Sequence, residues 1–398
     1  MNPYIKHLHS YPFEKWAQLI ADVPENHEYD AITLSIGEPQ HPAPRLVLDK
    51  LAENLDLLAS YPLTKGSDAL RETIAQWLKQ RFLLGNTPID PQTQIIPVNG
   101  TREALFAFAQ TIIDPGTKPV VLAPNPFYQI YEGAAILAGA DIQYLNTTQA
   151  HQFAPDLDKI SADTWQRCQL MYICSPGNPT GKVLPRDFLG KLLDLAERFD
   201  FIIAADECYS EIYADESRPP PGLLQVAAST GREAFERCIV FHSLSKRSNL
   251  PGLRSGFVAG DAKILQQFLR YRTYHGCAMA PPTQIASIAA WSDETHVQHN
   301  RDLYRHKFEA VLAILKPTLE INPPDAGFYL WLATPIDDQA FAKALYAQKN
   351  ITVLPGSYLS RLNNGINPGQ NYVRIALVAE IKQCIAAANQ IKDFVNSL

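Results

Sequence analysis

Short apolar runs alternate with amphipathic stretches through the middle of the chain. The runs at 95–98, 170–174, 201–205 and 238–241 have the length and composition of buried strands. Polar or glycine-containing segments follow these runs, and helical spacing returns between most of them. This alternation predicts an α/β domain with a mostly parallel sheet between helices.

The two ends of the chain follow other patterns. Residues 1–45 are rich in proline and tyrosine and look irregular, and helical spacing begins only after them. Beyond about residue 290, a helical stretch precedes apolar runs at 326–332 and 372–377. The chain has 398 residues, and chains beyond roughly 250–300 residues tend to split into domains. We therefore predict a large domain at 46–290 and a smaller α+β domain made from 1–45 and 291–398.

Composition and charge narrow the class of protein. The net charge is −6, without the basic stripe that is typical of nucleic-acid binding. No apolar run approaches the roughly 20 residues of a membrane helix, and the first residues lack the apolar core of a signal peptide. The six cysteines include no Cys-x-x-Cys pair, so we expect buried thiols and no metal site. These features predict a cytoplasmic protein that contacts neither nucleic acid nor membrane.

The predicted topology gathers polar segments that are far apart in sequence. Ligands of parallel sheets bind at the carboxyl ends of the strands. That rule brings 99–101, Asn178, Asp206 and 243–246 into one crevice.

Lys246 has the surroundings of a lysine that binds a phosphorylated aldehyde. It follows a buried strand, next to the hydroxyls of Ser243 and Ser245, and Arg254 lies eight residues on. A lysine amine forms an imine with an aldehyde, while hydroxyls and a guanidinium hold a phosphate by charge-assisted hydrogen bonds. A solvated lysine near a turn is the alternative interpretation.

Asp206 and Asn178 are the candidates for contacts with the aldehyde's ring. Asp206 ends an apolar strand, where an unpaired charge is costly, and a protonated pyridine nitrogen would pair with it. Tyr209, three residues on, can hydrogen-bond a ring hydroxyl. Asn178 stands in a proline-containing turn and can donate and accept. A salt bridge or helix cap for Asp206, and plain turn chemistry for Asn178, are the alternatives.

Two further sites for anions stand in the sequence. The segment Gly100, Thr101 and Arg102 opens a helix, where backbone amides bind phosphate. Arg374 follows a strand-like run and matches a carboxylate bidentately. An ordinary strand-to-helix turn and a surface ion pair are the respective alternatives.

Together these residues resemble the class I and II aminotransferases, which are pyridoxal 5'-phosphate (PLP) enzymes of fold type I. The resemblance implies a large domain with a mostly parallel seven-stranded sheet between helices, and a smaller α+β domain. The resemblance covers nearly the whole chain and rests on three motifs in order: Asn-Pro-Thr-Gly at 178–181, Asp-Glu-Cys-Tyr at 206–209, and Ser-Leu-Ser-Lys at 243–246 followed by Arg254 and Gly256.

The resemblance implies a role for each matching position. Lys246 would bind the cofactor as an imine and shuttle the proton, assisted by Asp206 on the ring nitrogen and by Asn178 and Tyr209 on the ring oxygen. Other positions have roles implied by the same resemblance: Tyr128 would stack on the ring; Gly100, Thr101, Arg102, Ser243, Ser245 and Arg254 would hold the phosphate; Arg374 would clamp the substrate α-carboxylate; Gly37 would line the substrate site; and Tyr61 would reach the phosphate of a neighbouring subunit in a homodimer.

The N-terminal run, residues 2–15, is similar to that of bacterial N-succinyl-diaminopimelate aminotransferases. This similarity implies transfer of an amino group from N-succinyl-L,L-2,6-diaminopimelate to 2-oxoglutarate, giving glutamate. Lys65, Arg102 and Lys182 are candidates for a distal carboxylate. An aspartate or broad-range aminotransferase, a PLP-dependent C–S lyase and a non-catalytic PLP-binding regulator are the competing interpretations.

Overall fold

Twelve strands and fourteen α-helices form the computed structural model, which describes all 398 residues. The strands are β1 (Ile32–Thr33), β2 (Ile95–Val98), β3 (Val120–Asn125), β4 (Asp141–Asn146), β5 (Cys168–Cys174), β6 (Ile202–Asp206), β7 (Cys238–Ser243), β8 (Gly256–Gly260), β9 (Tyr329–Ala333), β10 (Ile351–Thr352), β11 (Leu354–Pro355) and β12 (Tyr372–Ala376).

The helices lie between and around these strands. They are α1 (Pro12–Leu19), α2 (Arg45–Ala52), α3 (Asp68–Arg81), α4 (Thr101–Ile112), α5 (Ile130–Leu137), α6 (Ala162–Arg167), α7 (Arg186–Phe199), α8 (Leu223–Ser229), α9 (Leu244–Arg247), α10 (Ala262–His275), α11 (Pro281–Ser292), α12 (Thr295–Leu315), α13 (Asp338–Lys349) and α14 (Ile381–Asn396).

Seven strands form the central sheet in the order β2-β8-β7-β6-β5-β3-β4. All neighbours are parallel except for β8, which is antiparallel to both β2 and β7. Alternate residues of β6 enter different cores, Ile203 and Ala205 on one face and Ala204 on the other. Because both faces are covered, the strand is apolar up to its last residue, Asp206. The predicted α/β fold with a mostly parallel seven-stranded sheet is confirmed.

The hydrophobic pattern locates α3 closely, because its signals are local. Ser67 caps the helix by accepting a hydrogen bond from the Leu70 amide, and Leu70, Ile74 and Trp77, which recur at helical spacing, are buried. The prediction that 1–45 is irregular is wrong in part, since α1 forms there. Its first turn is closed by the Tyr11 amide donating to the Glu14 carboxylate.

A separate apolar core joins the two ends of the chain. Trp16, Ile32 and Leu34 pack there with residues of β9 and β12 and of α13 and α14. This packing supports the division into 46–290 and 1–45 with 291–398, which stays a prediction. None of the helices combines the length and the apolar composition needed to cross a membrane.

Candidate active site

A cavity of about 590 Å3 opens at the carboxyl ends of β6 and β7. Asp206 is the last residue of β6 and Ser243 is the last residue of β7. The turn after β5 carries Asn178, and β12 brings Arg374 from the other core. The cavity is lined by Tyr11, Phe13, Ile36, Gly37, Glu38, Thr101, Arg102, Tyr128, Asn178, Asp206, Cys208, Tyr209, Ser243, Ser245, Lys246, Pro251, Gly252, Arg254, Tyr329 and Arg374.

Lys246 reaches this cavity from the short helix α9. Ser243 caps α9 by accepting from the Ser245 amide at 3.1 Å, so the two predicted hydroxyls lie beside the lysine. The Lys246 Nζ donates to the Gly37 carbonyl at 2.6 Å, which ties it to the segment before α2. Burial lowers the pKa of Lys246 to about 8. A neutral, nucleophilic amine is therefore accessible near physiological pH.

Asp206 is a buried carboxylate that forms no ion pair within the protein. Its Oδ2 accepts from the Tyr131 hydroxyl at 2.7 Å, and its Oδ1 accepts from the Cys208 amide at 3.3 Å. Burial raises the pKa of Asp206, because no cation compensates the charge. A protonated pyridine nitrogen would supply the missing cation.

Arg374 is a buried guanidinium that also forms no ion pair. It donates to the Asn178 Oδ1 at 2.9 Å and to the Ser35 carbonyl at 2.8 Å, and it lies over the Tyr329 ring. Its Nε has no hydrogen-bond partner. A substrate carboxylate would compensate this charge.

The start of α4 forms a compact anion site with Arg254. Gly100 has a φ of +86°, and a Cβ at that position would overlap the Arg254 guanidinium. The close approach therefore requires glycine. Arg254 donates to the Pro251 carbonyl at 2.8 Å and has no carboxylate partner. Helix amides, a guanidinium and the hydroxyls of Thr101 and Ser243 are suited to a phosphate.

Arg102 follows Thr101 in α4, but its side chain bonds to two tyrosines. Its Nε donates to the Tyr128 hydroxyl at 2.7 Å, and its Nη2 reaches the Tyr11 hydroxyl at 3.4 Å. Burial raises the pKa of Tyr128, so this phenol stays neutral. Arg102 is thus a cation at the cavity without a carboxylate partner.

Several predicted residues lie elsewhere. Tyr61 is fully exposed and does not line the cavity of its own chain. Lys65 donates to Gln92, and Lys182 pairs with Asp325 at 2.9 Å, so neither lines the cavity.

Sequence reasoning did not assign Tyr11, Phe13, Tyr131 or Tyr329. The Tyr329 hydroxyl lies 3.0 Å from that of Tyr209, and Tyr11 and Phe13 belong to the N-terminal run whose similarity was noted. Tyr131 stands three residues after Tyr128, and that spacing was the only available signal.

The residues present are suited to PLP, because the cavity combines an amine, a buried unpaired carboxylate and a phosphate cradle. When bound, the cofactor supplies an aldehyde and a ring that withdraws electrons from the substrate α-carbon.

Comparison with known proteins agrees with a PLP-binding site. The sequence model of the family described as "Aminotransferase class I and II" matches residues 29–388. An LL-diaminopimelate aminotransferase of Nitratidesulfovibrio vulgaris is 32% identical over 91% of each chain. A solved aminotransferase of Neisseria meningitidis is 49% identical, with a TM-score of 0.95 over 99% of this chain and 100% of that one. The aminotransferase AspB of Helicobacter pylori is 35% identical, with a TM-score of 0.90 over 98% and 100% of the two chains.

Proposed function

The chain belongs to the class I and II aminotransferases, and from that premise we propose that it transfers the amino group of N-succinyl-L,L-2,6-diaminopimelate to 2-oxoglutarate. The enzyme is a PLP-dependent transaminase that acts on an amino acid and a 2-oxo acid. The proposal concerns the identity of these two substrates.

The charge of the cavity is the observation that carries the proposal. Three guanidiniums, those of Arg102, Arg254 and Arg374, face it without an ion-pair partner. The cofactor phosphate would neutralise Arg254, and the substrate α-carboxylate would neutralise Arg374. Arg102 is then left for a second carboxylate, such as the distal end of the succinylated substrate or of 2-oxoglutarate.

The protein's own residues account for binding and proton transfer. Arg374 and Asn178 orient the α-carboxylate, while Asp206 holds the proton on the ring nitrogen. With the cofactor bound, the Lys246 Nζ would be the base that accepts the α-proton of the substrate and the group that gives a proton back. The lowered pKa of Lys246 suits this role, because a base must be neutral to accept a proton.

A homodimer is part of the proposal. Leu55, Leu58, Tyr61 and Leu63 form an exposed apolar surface, and Tyr61 is fully exposed. Apolar surface of this kind is typical of protein interfaces. We propose that a second copy covers it and receives Tyr61 at its phosphate site.

A diaminopimelate without the succinyl group is the second candidate, because relatives at 32% identity carry the name LL-diaminopimelate aminotransferase. Its distal carbon bears an ammonium as well as a carboxylate. Glu38 lines the cavity and would provide a carboxylate for that ammonium.

Half-reactions separate these candidates. The holoenzyme is mixed with one amino acid and no 2-oxo acid, and loss of its visible absorbance band is followed. We expect N-succinyl-L,L-diaminopimelate and glutamate to react with the largest kcat/KM, and 2-oxoglutarate to restore the band. A larger kcat/KM for L,L-diaminopimelate or aspartate would overturn the substrate assignment. Release of pyruvate and ammonia from cystathionine without an acceptor would indicate a C–S lyase.

A further inference from the structure

Tyr131 is a buried residue of α5 that touches the carboxylate proposed to hold the cofactor ring. Its hydroxyl donates to the Asp206 Oδ2 at 2.7 Å, and its side chain is fully buried. The other oxygen, Oδ1, accepts only from the Cys208 amide, at 3.3 Å. The two oxygens of Asp206 are therefore unequal, one held by a short bond and one by a long one.

The Tyr131 hydroxyl is held rigidly by aromatic packing. Its ring stacks on Tyr172 with a centroid distance of 4.7 Å and an interplanar angle of 11°. Tyr172 is anchored in turn, because its hydroxyl donates to the Leu105 carbonyl at 2.8 Å. Tyr128, predicted to stack on the cofactor, meets the Tyr131 ring edge-on at 5.8 Å. Tyr128, two residues before α5, and Tyr131, in its first turn, thus place an aromatic for the ring beside a donor for the ring's counterion.

We propose that Tyr131 is a positioning residue for the cofactor, because its hydroxyl fixes the Asp206 Oδ2 and leaves Oδ1 for the ring nitrogen. The inference rests on the proposed role of Asp206 and is independent of which amino acid is the substrate.

The electrostatics of the pair agree with this role. Burial raises the pKa of Asp206, while hydrogen bonds from Cys208 and from Tyr131 lower it and so favour the carboxylate. Burial also raises the pKa of Tyr131 well above its ordinary value, so the phenol remains a donor at every working pH. A carboxylate deprived of this donor would accept a proton more readily and would hold the ring proton less well.

The test compares two tyrosines of one stacked pair. Tyr131→Phe removes the donor to Asp206, and Tyr172→Phe removes an equally buried hydroxyl that bonds only to backbone. Cofactor-free protein is titrated with PLP to measure the affinity. The visible absorbance band of the PLP-bound protein is then recorded against pH, and the midpoint of its change is the transition pH. We expect Tyr131→Phe to weaken PLP binding by about 10-fold to 100-fold, the range for a hydrogen bond to a charged group. We also expect it to raise the transition pH, because a ring that loses its proton withdraws fewer electrons.

Tyr172→Phe should keep the PLP affinity within about twofold of the parent and leave the transition pH unchanged, since it removes no bond to a charged group. An unchanged transition pH in folded Tyr131→Phe would overturn the proposal, even if PLP affinity fell, because packing alone would then explain the loss. Tyr131→His, which retains a donor, should recover part of the affinity and covers the case in which the phenylalanine variant does not fold.

Asp206→Asn separates this inference from the role of Asp206. If that variant binds PLP normally, the assignment of Asp206 is wrong. If Asp206→Asn loses affinity and Tyr131→Phe does not, only the positioning role of Tyr131 is wrong.

Discussion

Lys246 and Lys307 show that a lowered pKa alone does not identify the lysine that would react with a cofactor. Lys246 and Lys307 both lie inside the protein, and burial lowers the pKa of each to about 8. Lys307 donates to the Val378 carbonyl within the packing of α12, whereas only Lys246 lines the cavity. A perturbed pKa therefore marks a candidate, and access to a ligand decides between candidates.

Replacing these two lysines should give opposite results. Lys246→Ala should abolish turnover and the visible band that PLP gives with a lysine, because no amine remains in the cavity. Lys307→Met should keep the band. Absorbance after addition of PLP measures both, and circular dichroism confirms folding. Retained full activity in Lys246→Ala would contradict the whole assignment.

The lowered pKa of Lys246 also predicts how cofactor capture depends on pH. Only the neutral amine attacks an aldehyde, and its fraction rises with pH up to the pKa of about 8. The rate at which the apoprotein gains its visible band should rise by about tenfold per pH unit below that pKa, and it should level off above it. A rate that keeps rising to pH 10 would indicate an unperturbed lysine.

Arg102 offers a test of specificity within the same cavity. Arg102→Gln should lower kcat/KM for glutamate and for the succinylated substrate by about tenfold, because each loses a charge-assisted bond to its distal carboxylate. L-Alanine, which lacks that carboxylate, is the matched reference substrate. An equal loss for alanine would assign Arg102 to the cofactor phosphate, its other predicted role.

Helix α12 connects the lysine helix with the segment that precedes α2. Its Asn300 donates to the Lys246 and Arg247 carbonyls at 3.3 and 3.4 Å, and its Oδ1 lies 2.7 Å from the His41 Nδ1. Gly37, four residues before His41, accepts from the Lys246 amine. Asn300 therefore connects α9, which carries Lys246, with the segment of His41 that precedes α2.

Low pH should destabilise the folded protein through His41, the residue that bonds to Asn300. Burial lowers the pKa of His41 to about 4, whereas an unfolded histidine takes its proton near pH 6.5. Between these values the unfolded chain binds a proton that the folded chain does not, so stability falls as pH drops from about 6.5 to about 4. Thermal unfolding of His41→Gln should show a smaller decline over this window than the parent. Parallel curves would contradict the assignment.

The elements that sequence predicted well are those whose signals are local. Apolar runs gave β2, β5, β6 and β7, and the topology rule then brought Asp206 and Lys246 together. The strand β8 was missed, because it is short and begins and ends with glycine. The hydrogen bond from Tyr131 to Asp206 was also missed. A helical pattern predicts that a side chain is buried, but not which residue of another element it contacts.

At the scale of the whole molecule, Tyr61 is the predicted site residue that does not line the cavity of its own chain. Tyr61 is fully exposed, near the apolar side chains of Leu58 and Leu63. Sequence resemblance assigned Tyr61 to the site, but its geometry depends on a second copy. In a two-fold dimer each Tyr61 would reach the partner's cavity, so each of the two sites would contain residues from both chains.

Mixed dimers test this arrangement. Lys246→Ala lacks the reactive amine, and Tyr61→Ala lacks the residue proposed to cross the interface. A mixed dimer of the two has one site with both residues intact, so random mixing should restore about a quarter of the wild-type sites. Activity is measured at limiting PLP, because loss of the proposed phosphate contact of Tyr61 lowers the PLP affinity and therefore reduces activity most under that condition. Lys246→Ala mixed with a chain that carries both substitutions is the control and should stay inactive. If isolated mixed dimers are no more active than the mean of the two parents, Tyr61 acts within its own chain or not at all, and the shared site is wrong.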